Sequence, residues 1–276
     1  MTFTIGVDVG GTKVLGGVVD ELGQVHKTAR RDTPKEGGAA LTAAIAEVAN
    51  ELKAQFPVES VGVSAAGWVS SDRKTMLATP NITGWNGVNL DYEFTQLIGL
   101  PVVIENDANS AAWGEARFGA AKGKQHVLLL TIGTGLGGGI VIDGKLHRGA
   151  FGIAAEVGHM RVVPDGLLCG CGAKGCFEQY GSGSALMRHT REAIEANPDM
   201  AEKLLARGDG TFSGLTGTMI MEAARAGDVI AIEAFRTTGK WIGAAVASLS
   251  AILDPEIVVI GGGVIDAGEL LLAPIR

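Results

Sequence analysis

Near its N-terminus the chain reads Ile5-Gly6-Val7-Asp8-Val9-Gly10-Gly11-Thr12-Lys13, and the same run closes with Gly16-Gly17-Val18-Val19-Asp20. This pattern predicts a buried strand that ends at a carboxylate, then a glycine-rich turn and a returning strand. The plan recurs in Leu130-Thr131-Ile132-Gly133-Thr134-Gly135 with Gly138-Gly139-Ile140-Val141-Ile142-Asp143. An internal repeat of strand, turn and strand predicts two lobes of similar build.

Around the two repeats, strand-like and helix-like patterns alternate, which is typical of an α/β fold. Short β-branched runs predict further strands at residues 24–31, 58–64, 101–105 and 257–260. Apolar residues at helical spacing predict helices at residues 39–56, 90–98, 107–118, 181–195, 199–207, 216–226 and 228–253. We place the boundary so that a small N-terminal lobe spans residues 1–119 and a large lobe spans residues 120–276.

Each glycine turn exposes backbone N–H groups that can hold phosphate oxygens, and a nearby carboxylate can approach a phosphate-bound Mg²⁺. In the first copy that carboxylate is Asp8, and the candidate donors are Gly10, Gly11, Thr12 and Lys13. In the second copy the candidate donors are Gly133, Thr134 and Gly135. A plain β-hairpin turn is the alternative for each copy, and the presence of two copies favours phosphate binding.

Two further motifs follow predicted strands. Gly261-Gly262-Gly263 indicates either a nucleotide lying on the backbone or a simple tight turn. Glu105-Asn106-Asp107 lies where a strand gives way to a helix, and Asp107 is the candidate base that accepts a hydroxyl proton. Ordinary helix capping is the alternative, because Asn and Asp are preferred at helix N-termini.

The chain's three cysteines all lie in Cys169-Gly170-Cys171-Gly172-Ala173-Lys174-Gly175-Cys176, and His159 lies upstream of them. Three thiolates and one imidazole form the ligand set of a closed tetrahedral zinc site, and the glycines allow a short loop to wrap one ion. Buried thiols beside a core histidine are the alternative. Because four protein ligands leave no open position for an activated water, we expect a structural Zn²⁺ held by His159, Cys169, Cys171 and Cys176.

The composition excludes several classes of protein. A net charge of −7 argues against a nucleic-acid partner or a membrane-surface partner. The N-terminus lacks the pattern of a signal peptide, and the longest apolar stretch is too short to span a bilayer. Since the cysteines cluster in one loop, they do not form a disulfide framework. We therefore expect a cytoplasmic protein without a membrane partner.

Taken together, these motifs resemble the ROK family of sugar kinases, most closely its actinobacterial ATP-dependent glucokinase branch. The resemblance runs from Ile5 to the last residue, with the motifs in family order. They are D-x-G-G-T-K at Asp8–Lys13, E-N-D at Glu105–Asp107, E-x-G-H at Glu156–His159 and C-x-C-G-x-x-G-C-x-E at Cys169–Glu178. The resemblance implies an actin-like, ribonuclease H-like ATPase fold with two lobes and a central cleft.

The resemblance also implies a site and a reaction. Gly261, Gly262 and Gly263 match the segment near the adenosine, Gly133–Gly135 matches the second phosphate segment, and Asp107 is the catalytic base. The implied sugar contacts are Asn81, Asn106, Asp107, Glu156, His159 and Glu178. The implied reaction transfers a phosphoryl group from ATP, with Mg²⁺, to the 6-hydroxyl of glucose. A kinase for mannose, fructose or an N-acetylhexosamine is one alternative, and a non-catalytic sugar sensor is another.

Three further expectations follow from the resemblance. Relatives suggest a homo-oligomer, either a dimer or a tetramer. The cysteine loop favours ATP over polyphosphate, and the absence of a helix-turn-helix pattern before Ile5 disfavours the repressor branch. The family's pattern continues beyond Arg276 into a helix that packs on the first lobe. We therefore expect stability and full activity to depend on that segment.

Overall fold

In a computed structural model, which describes residues 2–79 and 82–276, the chain folds into two compact units. Unit 1 comprises Met1–Val127 and Gly139–Ala155, and unit 2 comprises Leu128–Gly138 and Glu156–Arg276. The lobe boundary inferred from the sequence, between residues 119 and 120, stays a prediction.

The strands are β1 (Phe3–Val9), β2 (Lys13–Asp20), β3 (Val25–Asp32), β4 (Val58–Ala65), β5 (Trp68–Val69), β6 (Thr75–Ala78), β7 (Val88–Asn89), β8 (Val102–Asn106), β9 (Val127–Ile132), β10 (Leu136–Ile142), β11 (Lys145–Leu146) and β12 (Ile257–Gly261). The helices are α1 (Gly38–Lys53), α2 (Leu90–Ile98), α3 (Asp107–Phe118), α4 (Glu178–Gly181), α5 (Gly183–Ala196), α6 (Glu202–Leu205), α7 (Gly217–Arg225), α8 (Val229–Leu253) and α9 (Glu269–Ile275). Short 3-10 helices lie at Val157–His159, Pro198–Met200, Phe212–Gly214 and Gly263–Ala267.

The main sheet of unit 1 has the strand order β3-β2-β1-β4-β8, with β1 parallel to β4 and β4 parallel to β8. Along β1 the buried residues alternate with exposed ones, so Asp8 lies on the face opposite to Val7 and Val9. The register pairs Asp8 with Ser64 and Ser64 with Glu105. The carboxyl ends of the three parallel strands therefore bring Asp8 and the Glu105–Asp107 triplet to one sheet edge, where ligands of α/β proteins bind.

A small sheet in unit 1, of order β5-β6-β7, was missed in the sequence. No strand was predicted at these positions, because strands of two to four residues are too short to display a period of two. The sheet borders Trp85, which is buried and donates its indole N–H to Thr42 Oγ1 at 3.1 Å. The indole also meets Phe94 edge to face, with ring centroids 6.2 Å apart.

The second repeat forms β9 and β10 in a sheet of order β11-β10-β9-β12. Strand β10 begins at Leu136, already within the glycine run, because glycines can pair in a ladder without side chains that reveal a pattern. The predicted helix at residues 199–207 is confirmed only in part, at Glu202–Leu205. A 3-10 turn at Pro198–Met200 and the single turn of α6 occupy that segment. Among the described residues, no helix combines the length and apolarity that a bilayer crossing requires.

Candidate active site and metal cluster

The first glycine turn is closed by hydrogen bonds within unit 1. The Gly10 N–H donates to the Lys13 carbonyl at 2.9 Å, and Thr33 holds the turn from the end of β3. The Thr33 hydroxyl donates to the Gly10 carbonyl at 2.7 Å, and its N–H donates to the Thr12 carbonyl at 3.1 Å. Gly11, Thr12 and Lys13 remain exposed, so their N–H groups and the ammonium can meet an anion. Sequence reasoning missed Thr33, which no motif marks.

Asp8 and Asp107 lie close enough for their charges to interact. Partial burial raises the pKa of Asp8, the Asp107 carboxylate raises it further, and the Lys13 ammonium lowers it. Both aspartates line a cavity of about 550 Å³ in unit 1. Two carboxylates that repel each other at a sheet edge suit a divalent cation, since Mg²⁺ prefers such oxygen ligands.

The end of β8 positions Asp107 at the first residue of α3. The preceding Asn106 is the N-cap, because its side-chain oxygen accepts the Asn109 N–H at 3.0 Å and its amide donates to the Gly67 carbonyl at 3.0 Å. Ordinary helix capping therefore accounts for Asn106. The role of Asn106 as a sugar contact stays a prediction. Asp107 is exposed. Among the hydrogen bonds described for it, its carboxylate accepts only the N–H of the next residue, Ala108. Its second carboxylate oxygen is the atom that a substrate hydroxyl can approach.

Glu105, the first residue of the triplet, is held by an ion pair that the sequence did not reveal. Arg148 directs both Nε and Nη2 to Glu105 Oε2, each at 2.7 Å. The other carboxylate oxygen of Glu105 accepts the side-chain amide of Asn109 at 3.2 Å. Charge-assisted bonds of this kind are stronger than neutral ones, so they fix the strand-to-helix junction from which Asp107 projects.

The second glycine turn belongs to unit 2. The Gly133 N–H donates to the Gly135 carbonyl at 3.0 Å, which closes the turn. The carbonyls of this turn accept hydrogen bonds from the start of α5. The Gly183 N–H donates to the Gly133 carbonyl at 2.8 Å, and the Ser184 hydroxyl donates to the Thr134 carbonyl at 2.8 Å. The turn therefore rests on a helix N-terminus that is distant in sequence.

A cavity of about 430 Å³ in unit 2 joins the second turn to the third glycine run. Gly262 is required there by its positive φ of 91° and because a Cβ would lie 2.4 Å from the Ile132 carbonyl. The cavity lining includes Gly133, Thr134, Gly183, Ser184, Met187, Gly217, Thr218, Met221, Phe235, Gly263 and Asp266. A small-residue floor with an apolar wall of methionine and phenylalanine fits a flat base that continues into phosphates. The assignment of Gly261, Gly262 and Gly263 to adenosine stays a prediction.

The predicted metal ligands converge. One ligand atom from each of His159, Cys169, Cys171 and Cys176 lies within 4.8 Å of the others. The sulfur atoms of Cys171 and Cys176 are 3.7 Å apart, and His159 Nδ1 is 3.7 Å from Cys169 Sγ. Neighbouring sulfur ligands of a tetrahedral Zn²⁺ are about 3.8 Å apart when the Zn–S bonds are about 2.3 Å long. These four residues, which we call the Cys₃His cluster, therefore fit zinc.

The thiols of the cluster differ in acidity. The backbone N–H of Ala173 is the main cause that lowers the pKa of the Cys171 thiol, whereas burial raises the pKa of Cys176 to about 12. A bound Zn²⁺ displaces these protons and holds the sulfurs as thiolates. Because His159 directs Nδ1 to the cluster, its Nε2 is the nitrogen left for another partner.

Three of the remaining predicted sugar contacts, Glu156, His159 and Glu178, belong to unit 2. Glu156 caps the 3-10 turn Val157–His159, and its carbonyl accepts the His159 N–H at 3.0 Å. Glu178 begins α4, two residues after the last cysteine. Asn81 lies outside the described residues. The roles of Glu156, His159 and Glu178 in sugar binding stay predictions.

Comparison with known proteins identifies the family. The sequence profile described as "ROK family" matches residues 4–276. A glucokinase of Streptomyces coelicolor is 49% identical over 276 residues, which cover 100% of this chain and 86% of that protein. A glucokinase of Thermotoga maritima is 38% identical over 273 residues, 99% of this chain and 85% of that protein.

The chain belongs to the ROK family. Among solved structures, a ROK family glucokinase from Streptomyces griseus in complex with glucose and AMPPNP is 51% identical, with a TM-score of 0.86 over 99% of this chain and 87% of that one. The expected family and the actin-like fold are thereby confirmed.

Proposed function

We propose that this chain is a glucokinase, which transfers the terminal phosphoryl group of ATP to the 6-hydroxyl of glucose. The observation that carries the proposal is the exposed Asp107 carboxylate at the start of α3, beside Asp8 and the donor turn Gly10–Lys13. The high identity to proteins named glucokinase, along the whole chain, supports glucose as the acceptor and ATP as the donor.

On the acceptor side, Asp107 orients the sugar hydroxyl and takes its proton as the oxygen attacks phosphorus. The geometry of this base depends on the Glu105–Arg148 pair and on the Asn106 cap, which keep the first turn of α3 in place. Because the transition state of phosphoryl transfer is loose, positioning contributes much of the rate.

On the donor side, the backbone N–H groups of Gly11, Thr12 and Lys13 and of Thr134 and Gly135, with the Lys13 ammonium, neutralise charge on the phosphate oxygens. Asp8 would hold Mg²⁺, which supplies charge neutralisation between the phosphates when it is bound. The 430 Å³ cavity accommodates the base and the ribose, with Gly263 of the third glycine run along one side. Polyphosphate has no group that would use the apolar wall of this cavity, so the cavity favours a nucleotide.

On the sugar side, Glu156, Glu178, Asn81 and Asn106 accept or donate hydrogen bonds to ring hydroxyls. His159 would bind Zn²⁺ through Nδ1 and donate its Nε2–H to a hydroxyl, with the tautomer fixed by the metal. Zn²⁺ supplies a rigid scaffold here, because four protein ligands leave it no position for substrate. The cytoplasmic location and the dimeric or tetrameric assembly stay predictions.

The base assignment is tested with Asp107→Asn, which keeps the shape of the side chain and removes its basicity. We expect the rate of glucose 6-phosphate formation to fall by about 10²- to 10⁴-fold, the usual contribution of a general base, while glucose still binds. A coupled assay and calorimetric glucose titration measure the two quantities. Asp199→Asn, which changes an exposed carboxylate of a 3-10 turn, is the matched control and should turn over normally.

Near-normal turnover of Asp107→Asn would contradict the assignment. A panel of glucose, mannose, fructose and N-acetylglucosamine, assayed with the unchanged chain, sets the acceptor. If glucose is not the preferred hexose, the chain is a kinase of another sugar. If no hexose is phosphorylated although glucose binds, the sugar-sensor alternative replaces the proposal.

A further inference from the structure

The Cys₃His cluster is continuous in sequence with the residues that hold the second glycine turn. The segment Cys176–Ser184 begins at a metal ligand and ends at the N-terminus of α5. Glu178 Oε2 accepts the Leu136 N–H, directly after the turn, at 3.0 Å. At the other end of the segment, Ser184 donates its hydroxyl to Thr134 at 2.8 Å and its N–H to the same carbonyl at 3.2 Å.

Glu178 contacts both the cluster and the turn with one carboxylate. Its Oε1 lies 3.8 Å from Cys169 Sγ, while its Oε2 accepts the Leu136 N–H. As a protonated thiol Cys169 donates to Oε1, and a metal that takes this proton leaves Glu178 to be positioned by the chain, two residues after the ligand Cys176. Binding of the metal therefore changes what holds the acceptor of the Leu136 N–H.

The contact with the turn is tight. A Cβ at Gly135 would lie 2.6 Å from Glu178 Oε2, so only glycine allows the carboxylate to approach this closely. The Glu178 carboxylate and the turn are therefore in direct contact, and a change in the position of the carboxylate alters the support of the turn.

The cysteine loop has little apolar support of its own. Leu167 is 40% exposed, Leu168 is 68% exposed, and Cys171 is also exposed. The N–H of Leu167 donates to the Tyr180 hydroxyl at 2.9 Å, which ties one end of the loop to α4. Backbone hydrogen bonds such as that from the Cys169 N–H to the Ala173 carbonyl at 2.8 Å shape the loop, and a shared ion would join His159 and the three sulfurs across it.

We propose that metal occupancy of the Cys₃His cluster sets the position of the second phosphate turn through Glu178, and thereby controls affinity for the nucleotide. Glu178 is in this respect a positioning residue for Gly133–Gly135, beyond its predicted contact with the sugar. The inference rests on the proposed function, because it takes the second turn as a phosphate site. Coupling between two sites is reciprocal, so a bound nucleotide must also retain the metal.

The test measures binding of AMPPNP with Mg²⁺ by calorimetry, without sugar, to zinc-loaded and zinc-stripped protein. We expect stripping to weaken AMPPNP binding by about tenfold, within the usual 5- to 150-fold range of coupling between sites. AMPPNP should slow the release of Zn²⁺ to a colorimetric chelator, and the zinc affinity should rise by the same factor. Circular dichroism shows whether the stripped protein is still folded.

Two variants separate the proposed route from general loss of structure. Glu178→Ala should bind AMPPNP weakly, with no further loss when zinc is removed. Ser184→Ala is the matched control, because it removes a second side-chain bond to the turn, the hydroxyl to the Thr134 carbonyl, without touching the cluster. It should bind AMPPNP weakly and still show the full effect of zinc removal. If Glu178→Ala does not fold, Gly135→Ala, which forces the turn away from Glu178, should show the same loss of coupling.

Equal AMPPNP affinity of the loaded and stripped proteins would overturn the inference, as would a full zinc effect in Glu178→Ala or, where that variant does not fold, in Gly135→Ala. If the loaded protein does not bind AMPPNP at all, the proposed function fails, and the inference fails with it. The two failures are therefore distinguishable in one set of titrations.

Discussion

The two glycine turns arise from the same sequence plan and are supported in different ways. The first turn is held by Thr33, which directly follows β3 and lies 23 positions away. The second turn is held by Glu178 and Ser184, which lie 42 and 50 positions away and follow the cysteine loop. Two copies of one sequence motif are therefore not necessarily held by equivalent contacts.

The difference separates two kinds of stability within one chain. The first turn depends on the strand ladder of unit 1, whose hydrogen bonds form as soon as β1, β2 and β3 pair. The second turn depends on a segment whose order comes from a metal-binding loop. We therefore expect the second turn, and not the first, to respond to zinc.

The largest effect is expected from Cys176→Ser, which removes a buried ligand of the Cys₃His cluster. Loss of a structural metal is among the few changes that cost more than about 4 kcal/mol of unfolding free energy. Amide hydrogen exchange should increase across residues 160–184 and at Leu136, while the amides of β1 and β2 remain protected. Thermal unfolding and zinc content by colorimetry give the accompanying stability and stoichiometry.

Excess Zn²⁺ should restore protection to the zinc-stripped original chain and not to Cys176→Ser, which serves as the control for non-specific metal effects. Equal loss of protection around both turns would show that they share one support, and the distinction drawn between them would be wrong.

A smaller effect is expected from Thr33→Val, which keeps the shape of the side chain and removes the hydroxyl that donates to Gly10. The loss of one partly buried hydrogen bond costs about 0.5–1.5 kcal/mol. AMPPNP affinity should fall by the same modest factor in zinc-loaded and zinc-stripped protein, because Thr33 has no contact with the cluster among those described. A zinc-dependent effect of this variant would contradict the independence of the first turn.

The smallest effect is a dependence of stability on pH that is specific to the first repeat. Asp8 precedes the first turn, whereas Thr131 occupies the equivalent position before the second. Burial raises the pKa of Asp8 above its unfolded value of 3.8, so the unfolded chain loses this proton first. The contribution of Asp8 to stability is therefore present at low pH and is lost as pH rises through its folded pKa.

Asp8→Asn removes the pH-dependent contribution of Asp8 to stability. Urea unfolding of both proteins between pH 4 and pH 7 should show the variant gaining relative stability as pH rises, by a small amount because Asp8 is partly solvated. A constant difference across this range would mean that the pKa of Asp8 is not raised.

The fold was largely readable from the sequence, as particular elements show. Strand β1 leads into the first glycine turn as the sequence predicted, and α3 starts at Asp107 as expected from the strand-to-helix change. The short strands β5 to β7 and the broken helix after Pro198 were not readable. Their residues are too few to establish a period, and their geometry depends on packing against other elements.

The residue types of the candidate site could be predicted from the sequence, but the contacts between distant residues could not. The spacing of the cysteines predicted a metal site, since a chelating loop is a local feature and its four ligands meet as expected. No spacing indicated that Arg148 pairs with Glu105, 43 positions away, because long charged side chains find partners only after the sheet has formed.

Local patterns in the chain were sufficient to identify the two strand–turn–strand repeats, the acidic junction at Asp107 and the cysteine loop. Each of these depends on neighbours within a few residues, which the linear order preserves. Folding alone established that one carboxylate, Glu178, lies between the cysteine loop and the second turn. Such a contact follows from the packing of segments distant in sequence, and packing is a property of the assembled structure.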